Sequence, residues 1–432
     1  MHKFFKSSGL SLAGAMLTVG MLLSACGGTP TDTPAPPTNT TAAAPAATVA
    51  STAAMAATVA PTEAMAATLA PTAAMAATAA PTAAMAATAA PTDTSGAAMQ
   101  GTPAMTGTMA PAMTPGATGK KLKIGLVTDV GSITDKSFNQ SSYEGVLKAQ
   151  TDLGADIKYL QPKDAKEYST LIDQFVQNNY DVIVTVGFAL GDATTAAAQA
   201  NPNIKFIGVD QFQPVTVTQN LAGLVFEEDK AGYLAGALAA QMSKTHNIGA
   251  VLGTDTVPPV WRYGEGYKAG AKALDPTITL QVVYHSDVDI SKTFNDTPWG
   301  KTTALSMFDK GADIVFGAGG NTGNGALYAA ADRKATGVLC IGVDTDQYLT
   351  IPEAQPVILS SAEKLLTPGV FGLIKSVQDG TFKGGNNIGD VGLAPYHDLD
   401  SKVPASVKAK ITQLTADLKS GAVKTNVPPV KP

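Results

Sequence analysis

Acidic residues stand where several apolar, β-branched runs of the sequence end. Asp129, Asp210 and Asp344 each close such a run, and Lys364 follows a short apolar run at 357–359. Carboxylates accept hydrogen bonds from hydroxyl and N–H groups, whereas an ammonium donates them. Gathered at one site, these groups could hold a small polar solute. Taken singly, each could equally be a helix cap, a turn former or part of a structural ion pair.

Aromatic residues follow two of the same runs. Phe138 and Asn139 lie beyond the first run, and Trp261 and Tyr263 lie beyond a run that ends near residue 253. A flat ring can stack on a flat ligand, and an Asn side chain offers both a donor and an acceptor. The alternative for Phe138 is a core position at the start of a helix.

Two glycines separate a strand-like run from a helix-like segment. Gly319 and Gly320 could bring backbone N–H groups close to a ligand, although a tight turn would use the same residues. The segment is not a dinucleotide fingerprint, because Thr322 stands where the third glycine belongs. It is not a P-loop either, since no Gly-Lys-Ser/Thr follows.

The sequence carries no recognisable catalytic constellation. It lacks a Gly-x-Ser-x-Gly elbow, a His-Glu-x-x-His helix and a Cys-x-x-Cys pair. Its four histidines are scattered along the chain. We therefore predict a protein that is not an enzyme and needs neither a metal nor another cofactor. The net charge of -5 includes no basic block, so nucleic acid is not expected as a partner.

The N-terminus has the pattern of an export signal. Lys3 and Lys6 precede an apolar run at 10–23, which is too short to span a bilayer comfortably. The following Leu-Ser-Ala-Cys resembles a bacterial lipobox, which implies cleavage of residues 1–25 and acylation of Cys26. We expect a lipid-anchored protein on the extracytoplasmic face of the cell membrane. The alternative is an ordinary secretory signal with a chance cysteine.

A stalk is expected after the signal. Residues 26–119 consist mainly of Ala, Thr, Pro, Met and Gly, and a ten-residue unit recurs between 51 and 90. Such a composition cannot build a core, so we predict a disordered tether. A Met-rich metal site or a glycosylated Thr/Pro stem remains an alternative role. With Cys26 acylated, Cys340 would be the one remaining thiol of the two in the chain, which excludes an internal disulfide.

A globular domain is predicted for residues 120–432. After the first run, further strand-like runs recur at 157–160, 181–186, 204–209, 248–252, 280–284, 313–316 and 338–343. Helix-like segments separate them, which is typical of parallel sheets covered by helices on both faces. The number of βα units favours an α/β fold with two doubly wound parallel-sheet lobes around a ligand cleft.

Each lobe is expected to contain two segments of the chain. The first lobe would comprise about 120–226 plus 345–380, and the second about 227–344 plus 381–427. Ligands bind at the carboxyl ends of parallel strands, so two facing lobes would place both sets of strand ends around one cleft.

The domain also resembles a known family. The segment Asp-Lys-Ser-Phe-Asn at 135–139, and further segments at 224–236, 311–325, 341–347 and 360–364, are similar to the basic membrane protein group of solute-binding lipoproteins. That group is also described as purine nucleoside receptors of ABC importers. The resemblance runs from residue 121 to near 427 and implies a fold like that of type I periplasmic binding proteins.

The resemblance implies a purine nucleoside, or a related small solute, as the ligand. Phe138 and an aromatic on the other lobe would sandwich the base, with Tyr263 where the family usually has Phe and Trp261 close by. Asp210 would accept from the base, and Asp344 with Lys364 would hold the ribose hydroxyls. The implied binding set is Asp129, Phe138, Asn139, Asp210, Phe226, Trp261, Tyr263, Gly319, Gly320, Asp344 and Lys364.

Other functions on the same fold stay open at this point. A sugar or autoinducer receptor would use similar aromatic and acidic groups, and a surface adhesin or signalling lipoprotein would also suit a long stalk. A transcription repressor is excluded, because no helix-turn-helix precedes Lys120. The favoured hypothesis is a solute-binding protein that closes about its crossover strands and docks on an ABC transporter permease.

Overall fold

The computed structural model describes residues 120–214 and 218–432. The predicted signal peptide, the stalk and the lipidation site at Cys26 lie outside the described residues. From residue 120 onward the chain forms two α/β lobes, each built on a six-stranded sheet, which confirms the predicted fold class. Within the part described, no helix combines the length and apolar character needed to cross a bilayer.

The first stretch of the chain builds most of the first lobe, and its elements alternate as the apolar runs predict. In chain order they are β1 (Lys123–Val127), α1 (Phe138–Leu153), β2 (Asp156–Leu160), α2 (Tyr168–Gln177), β3 (Val182–Val186), α3 (Gly191–Ala200), β4 (Lys205–Val209) and β5 (Leu221–Phe226).

The second stretch builds most of the second lobe. Its elements are α4 (Glu228–Met242), β6 (Asn247–Leu252), α5 (Pro258–Leu274), β7 (Thr279–Tyr284), α6 (Ile290–Thr293), α7 (Thr297–Asp309), β8 (Ile314–Ala318), α8 (Gly320–Asp332), β9 (Leu339–Asp344), α9 (Gln347–Thr350) and β10 (Ile358–Lys364).

The last stretch returns to the first lobe and then to the second. It contains α10 (Leu366–Gln378), β11 (Gly385–Gly389), β12 (Val391–Leu393) and α11 (Ala405–Ser420). Helix α10 packs on α1 and strand β11 pairs with β5, so both belong to the first lobe.

The expected lobe boundaries in this region were wrong. Strand β10 pairs with β9 of the second lobe, so residues 345–364 do not belong to the first lobe as predicted. Strand β11 in turn joins the first sheet rather than the second. The chain therefore crosses between the lobes after β5, after β10 and between β11 and β12.

Both sheets are doubly wound. The first has the strand order β11-β5-β4-β3-β1-β2 and the second has β12-β10-β9-β8-β6-β7. Every pairing is parallel except that of β10 with β12. Strands β3 and β8 are buried throughout, whereas the edge strands β2 and β7 are partly exposed. Loops that follow the parallel strands thus gather at one end of each sheet.

Helices α4 and α5 pack unusually closely in the second lobe. A Cβ atom added at Gly236 would overlap the carbonyl oxygen of Tyr267, and one added at Gly270 would overlap that of Tyr233. The absence of side chains at these glycines lets the two backbones touch. This contact fixes the rotation of α5, which carries Tyr263 towards the first lobe.

We predict that Gly236→Ala lowers the free energy of unfolding by about 2 kcal/mol or more, because the added methyl group would force the helices apart. Gly372→Ala is the matched control. Gly372 lies on the exposed face of α10 and its Cβ would meet no atom within 4 Å. That change should raise stability by about 0.5–1 kcal/mol. If urea denaturation gives the same change in the free energy of unfolding for Gly236→Ala and Gly372→Ala, the α4–α5 contact does not have the role described.

Candidate functional site

A cleft lies between the two lobes at the carboxyl ends of their strands. Nine of the eleven predicted binding residues line it: Asp129, Phe138, Asn139, Asp210, Tyr263, Gly319, Gly320, Asp344 and Lys364. The sequence prediction missed several other lining residues, among them Asp135, Tyr168, Phe188, Phe294 and Asn295. These lie in loops or at the starts of helices, and their approach to the cleft depends on tertiary structure.

Lys364 forms the centre of a buried charge cluster. It is the last residue of β10, and its Nζ lies 2.6 Å from Asp210 Oδ2 and 3.9 Å from Asp344 Oδ1. Asp210 and Asp344 end equivalent strands of the two sheets, and both have left-handed backbones, with φ of 59° and 66°. Asp tolerates this conformation better than most residues. The turn directs each carboxylate towards the same ammonium.

The structure places the carboxylate of Asp210 against Lys364, beside Asp344. Its predicted role as an acceptor for a base stays a prediction. Its second oxygen, Oδ1, is buried and receives no hydrogen bond from any described residue. That oxygen is therefore available to a donor on a ligand.

Glu228 is a third carboxylate near Lys364, and the sequence analysis did not predict it as a site residue. Its Oε1 lies 3.7 Å from Lys364 Nζ, and its Oε2 accepts a hydrogen bond of 2.9 Å from Arg262 Nη1. At the first residue of α4, a carboxylate is usually explained by the helix dipole, so sequence reasoning had no signal for this role. Burial raises the pKa of Glu228 to about 7, and Asp210 adds to the rise while Lys364 and Arg262 oppose it.

The ammonium itself stays charged. Burial alone would favour neutral Lys364, but the three surrounding carboxylates more than compensate and raise its pKa to about 12. The cluster thus combines a permanent donor with carboxylate acceptors, which suits a ligand that carries hydroxyl groups.

A second polar group, from the first lobe, lies around Asn139. Asp135 caps the start of α1, where its carboxylate accepts hydrogen bonds from the backbone N–H groups of Ser137, Asn139 and Gln140, each of 3.0 Å. Asn139 Nδ2 donates to Asp135 Oδ2 and to Asp129 Oδ1, both at 3.1 Å. Asn139 Oδ1 is buried and has no hydrogen-bond partner among the described residues.

Asp129 lies beside this amide and is half-buried. Burial raises its pKa to about 6, although hydrogen bonds from Gly131 and Asn139 oppose the shift. Gly187 makes room for this carboxylate, because a Cβ there would lie 2.8 Å from Asp129 Oδ2. The sequence analysis did not identify Gly187.

Aromatic rings stand close to the Lys364 cluster. The ammonium lies 4.7 Å from the ring centroid of Phe138 and 5.8 Å from that of Tyr263. Tyr263 Oη donates a hydrogen bond of 3.2 Å to the backbone oxygen of Ala362, which holds the ring in place. Phe138 from the first lobe and Tyr263 from the second thus both lie beside the ammonium of Lys364.

Two predicted residues do not line the cleft. Trp261 lies on a different face of α5 and borders an outer groove with Glu265 and the C-terminal segment. Phe226 is buried, and its ring centroid lies 5.5 Å from Lys364 Nζ. It acts as a packing residue at this position. Of the two aromatics that the sequence left open, Tyr263 is the one that reaches the cleft.

The glycine turn before α8 forms another part of the wall. Gly319 and Gly320 both line the cleft and have positive φ values of 156° and 54°. Gly320 begins α8, and a Cβ on Gly319 would collide with the backbone of Gly253. A larger residue would therefore disturb both the turn and the neighbouring strand end.

The lobes contact each other through the loop before α1. Ser137 Oγ donates to Asp344 Oδ2 at 2.7 Å, and Asn324 Nδ2 donates to the backbone oxygen of Asp135 at 2.7 Å. Gln347 Nε2 donates to Asn324 Oδ1 at 2.8 Å and so belongs to the same hydrogen-bond network. The structure is thus a closed arrangement in which both lobes surround the cleft.

Residues 121–393 of this chain match the family described as "ABC transporter substrate-binding protein PnrA-like". Among relatives, the ABC transporter nucleoside-binding protein BmpA of Lactococcus lactis is 33% identical over 279 residues, which are 61% of this chain and 77% of that protein. The CD4+ T-cell-stimulating antigen of Listeria monocytogenes is 31% identical over 334 residues, or 72% of this chain and 89% of that protein.

Solved structures support the same fold. A solute-binding protein of an ABC transporter system from Aeropyrum pernix K1 is similar with a TM-score of 0.63 and 24% identity, over 70% of this chain and 92% of that one. A second, from Conexibacter woesei, has a TM-score of 0.57 and 24% identity, over 72% of this chain and 100% of the other.

The buried carboxylates should reduce the stability of the protein without ligand. Burial raises the pKa of Asp344 from 3.8 to about 6, although Lys364 and Ser137 oppose the shift. Because the folded pKa is raised, ionisation disfavours folding, and this cost grows as the pH rises from about 4 to 6. We predict that Asp344→Asn increases the free energy of unfolding at pH 7.5 by up to about 3 kcal/mol.

Urea denaturation at pH 4 and pH 7.5 measures this effect. The gain should be much smaller at pH 4, where Asp344 is protonated in the folded protein. Asp152→Asn, at an exposed carboxylate on α1, is the control and should change little at either pH. An equal gain at both pH values would argue against a cost of ionisation.

Proposed function

The chain belongs to the PnrA-like family of ABC transporter substrate-binding proteins, and from that premise we propose that its cleft binds a purine nucleoside. The observation that carries the proposal is the combination of groups that line the cleft. They are a lysine paired with several carboxylates, the acceptor atoms of Asn139 and Asp129, and an aromatic ring from each lobe. BmpA, one of the relatives, is named as nucleoside-binding.

The Lys364 cluster suits the ribose. The two vicinal hydroxyls of a ribose can donate to the carboxylates of Asp344 and Asp210, and one can accept from the ammonium of Lys364. Asp210 Oδ1 lacks a partner within the described structure, so a ligand hydroxyl would satisfy it. The absence of one hydroxyl would leave a buried charged group without its hydrogen bond, which carries a large penalty.

The two rings and the polar group around Asn139 suit a base. Phe138 and Tyr263 come from different lobes and could cover the two faces of a purine once the lobes are closed. Asn139 and Asp129 then meet the polar edge of the base.

We further propose that the protein works as a tethered receptor. Acylation of Cys26 would anchor it to the extracytoplasmic face of the cell membrane, and residues 26–119 would act as a stalk. The closed, ligand-bound form would deliver its solute to the permease of an ABC importer, without chemical turnover. Several relatives are named as lipoproteins, among them one from Pyrococcus abyssi that is 34% identical over 292 residues.

Removal of a carboxylate from the ribose end should weaken binding. We predict that Asp344→Asn lowers nucleoside affinity by about 2 kcal/mol, or roughly 30-fold, because a hydrogen bond to a charged group is lost. The unmodified protein should lose a similar amount with a 2′-deoxynucleoside. The two losses should be less than additive, since both remove the same interaction.

Isothermal titration calorimetry on the full chain in detergent measures these affinities. Asp152→Asn is again the matched control, because its carboxylate is exposed and distant from the cleft lining. Unchanged affinity in Asp344→Asn would contradict the ribose assignment.

The ligand itself can be identified directly. The full chain is purified without denaturation, and the molecules released on unfolding are identified by mass. We predict a purine nucleoside among them. Recovery of sugars, together with sugar binding in calorimetry, would instead support a carbohydrate receptor on the same fold.

A further inference from the structure

We infer that the cleft selects a purine edge that presents two adjacent hydrogen-bond donors, as in the 2-amino-6-oxopurine of guanosine, and discriminates against the 6-aminopurine of adenosine. The inference rests on the proposed function and narrows it. It follows from which polar atoms at the Asn139 end are already engaged and which are not.

The orientation of the Asn139 amide is fixed by its neighbours. Nδ2 has two hydrogens, and it donates them to Asp129 Oδ1 and Asp135 Oδ2. A rotated amide would turn its oxygen towards two carboxylates and leave repulsive contacts, so the assignment of the amide atoms is not ambiguous. Oδ1 is thereby left as a buried acceptor with no donor from the described residues.

Asp129 adds a second acceptor. Its Oδ1 receives hydrogen bonds from Gly131 N at 2.7 Å and from Asn139 Nδ2 at 3.1 Å. Those bonds leave Oδ2 uncommitted, and Asp129 lines the cleft. Because the side chains of Asp129 and Asn139 are joined by a hydrogen bond, their two available oxygens lie at the same end of the cleft.

The neighbouring amide supplies no compensating donor. Asn295 lines the cleft, but its Nδ2 donates to the backbone oxygens of Val130 and Ser291, each at 3.0 Å. The charged donor Lys364 is already bound to Asp210, at 2.6 Å. Neither side chain therefore supplies a donor to the oxygens of Asp129 and Asn139, and a ligand can bring its own.

Purine edges differ in the donors that they offer. Guanosine carries an N1–H and an adjacent 2-amino group, which together match two acceptors. Inosine retains the N1–H and lacks the amino group, so one acceptor would stay unsatisfied. Adenosine carries an unprotonated N1, which would repel an acceptor, beside its 6-amino group. The expected order of affinity is guanosine, then inosine, then adenosine.

Calorimetric titration of the full chain with these three nucleosides at pH 7.5 tests the order. Because an acceptor that the bound ligand shields from water and leaves without a donor is costly, we expect inosine to bind about 10-fold and adenosine about 100-fold more weakly than guanosine. If nucleosides bind but adenosine equals or exceeds guanosine, the inference is wrong and the proposed function stands. If none of the three binds, the proposed function itself fails.

Two variants distinguish the role of Asp129 from that of Asp344. Asp129→Asn replaces a carboxylate by a group that can donate, so the guanosine-to-adenosine affinity ratio should fall to about 10 or below. Asp344→Asn should weaken both nucleosides by a similar factor and leave the ratio unchanged. A ratio that responds to Asp344→Asn and not to Asp129→Asn would overturn the assignment.

The pH dependence of binding to the unmodified protein tests the role of Asp129 without a substitution. Burial raises the pKa of Asp129 to about 6, with Asp135 and Asp210 contributing to the rise, so its carboxyl group becomes a donor at pH 5. The guanosine-to-adenosine ratio should therefore be several-fold smaller at pH 5 than at pH 7.5. Protonation of Asp344 in the same range affects both nucleosides alike and cancels in the ratio. A constant ratio contradicts the inference.

Discussion

The cleft depends on one buried ammonium, that of Lys364. A charge removed from water is tolerated only when it is paired, and here Asp210, Asp344 and Glu228 surround it. Asp210 comes from the first lobe, whereas Asp344 and Lys364 end neighbouring strands of the second. The need to pair this charge therefore draws the strand ends of both sheets together, and the same groups form the polar end of the binding site.

The surrounding architecture keeps that cluster in place. Close packing of α4 on α5 sets the direction of α5, from which Arg262 holds Glu228 and Tyr263 reaches the cleft. The loop before α1 closes over the other side, where Ser137 donates to Asp344. Ligand recognition and lobe closure thus share residues, so a ligand that satisfies the free acceptors would also favour the closed arrangement.

The sequence predicted the parts of this structure that depend on local pattern. Strands buried on both faces produce continuous apolar runs, and Asp129, Asp210 and Asp344 at their ends do line the cleft. The sequence pattern did not predict the features that depend on contacts between distant parts of the chain. Strand β10 belongs to the second lobe because it pairs with β9, and local pattern does not reveal such a pairing, so its lobe was misassigned. Trp261 and Tyr263 lie two positions apart, so on a helix they point to different faces. The sequence alone did not show which of the two faces is turned towards the cleft.

A crystal structure of the full chain with guanosine tests the central claim most directly. The account predicts that both ribose hydroxyls lie within hydrogen-bond distance of the Lys364, Asp210 and Asp344 side chains. The base should lie between Phe138 and Tyr263, with its N1–H and 2-amino group facing Asp129 and Asn139. A nucleoside bound in the reverse orientation, with its base against Lys364, or bound outside the cleft, would contradict it.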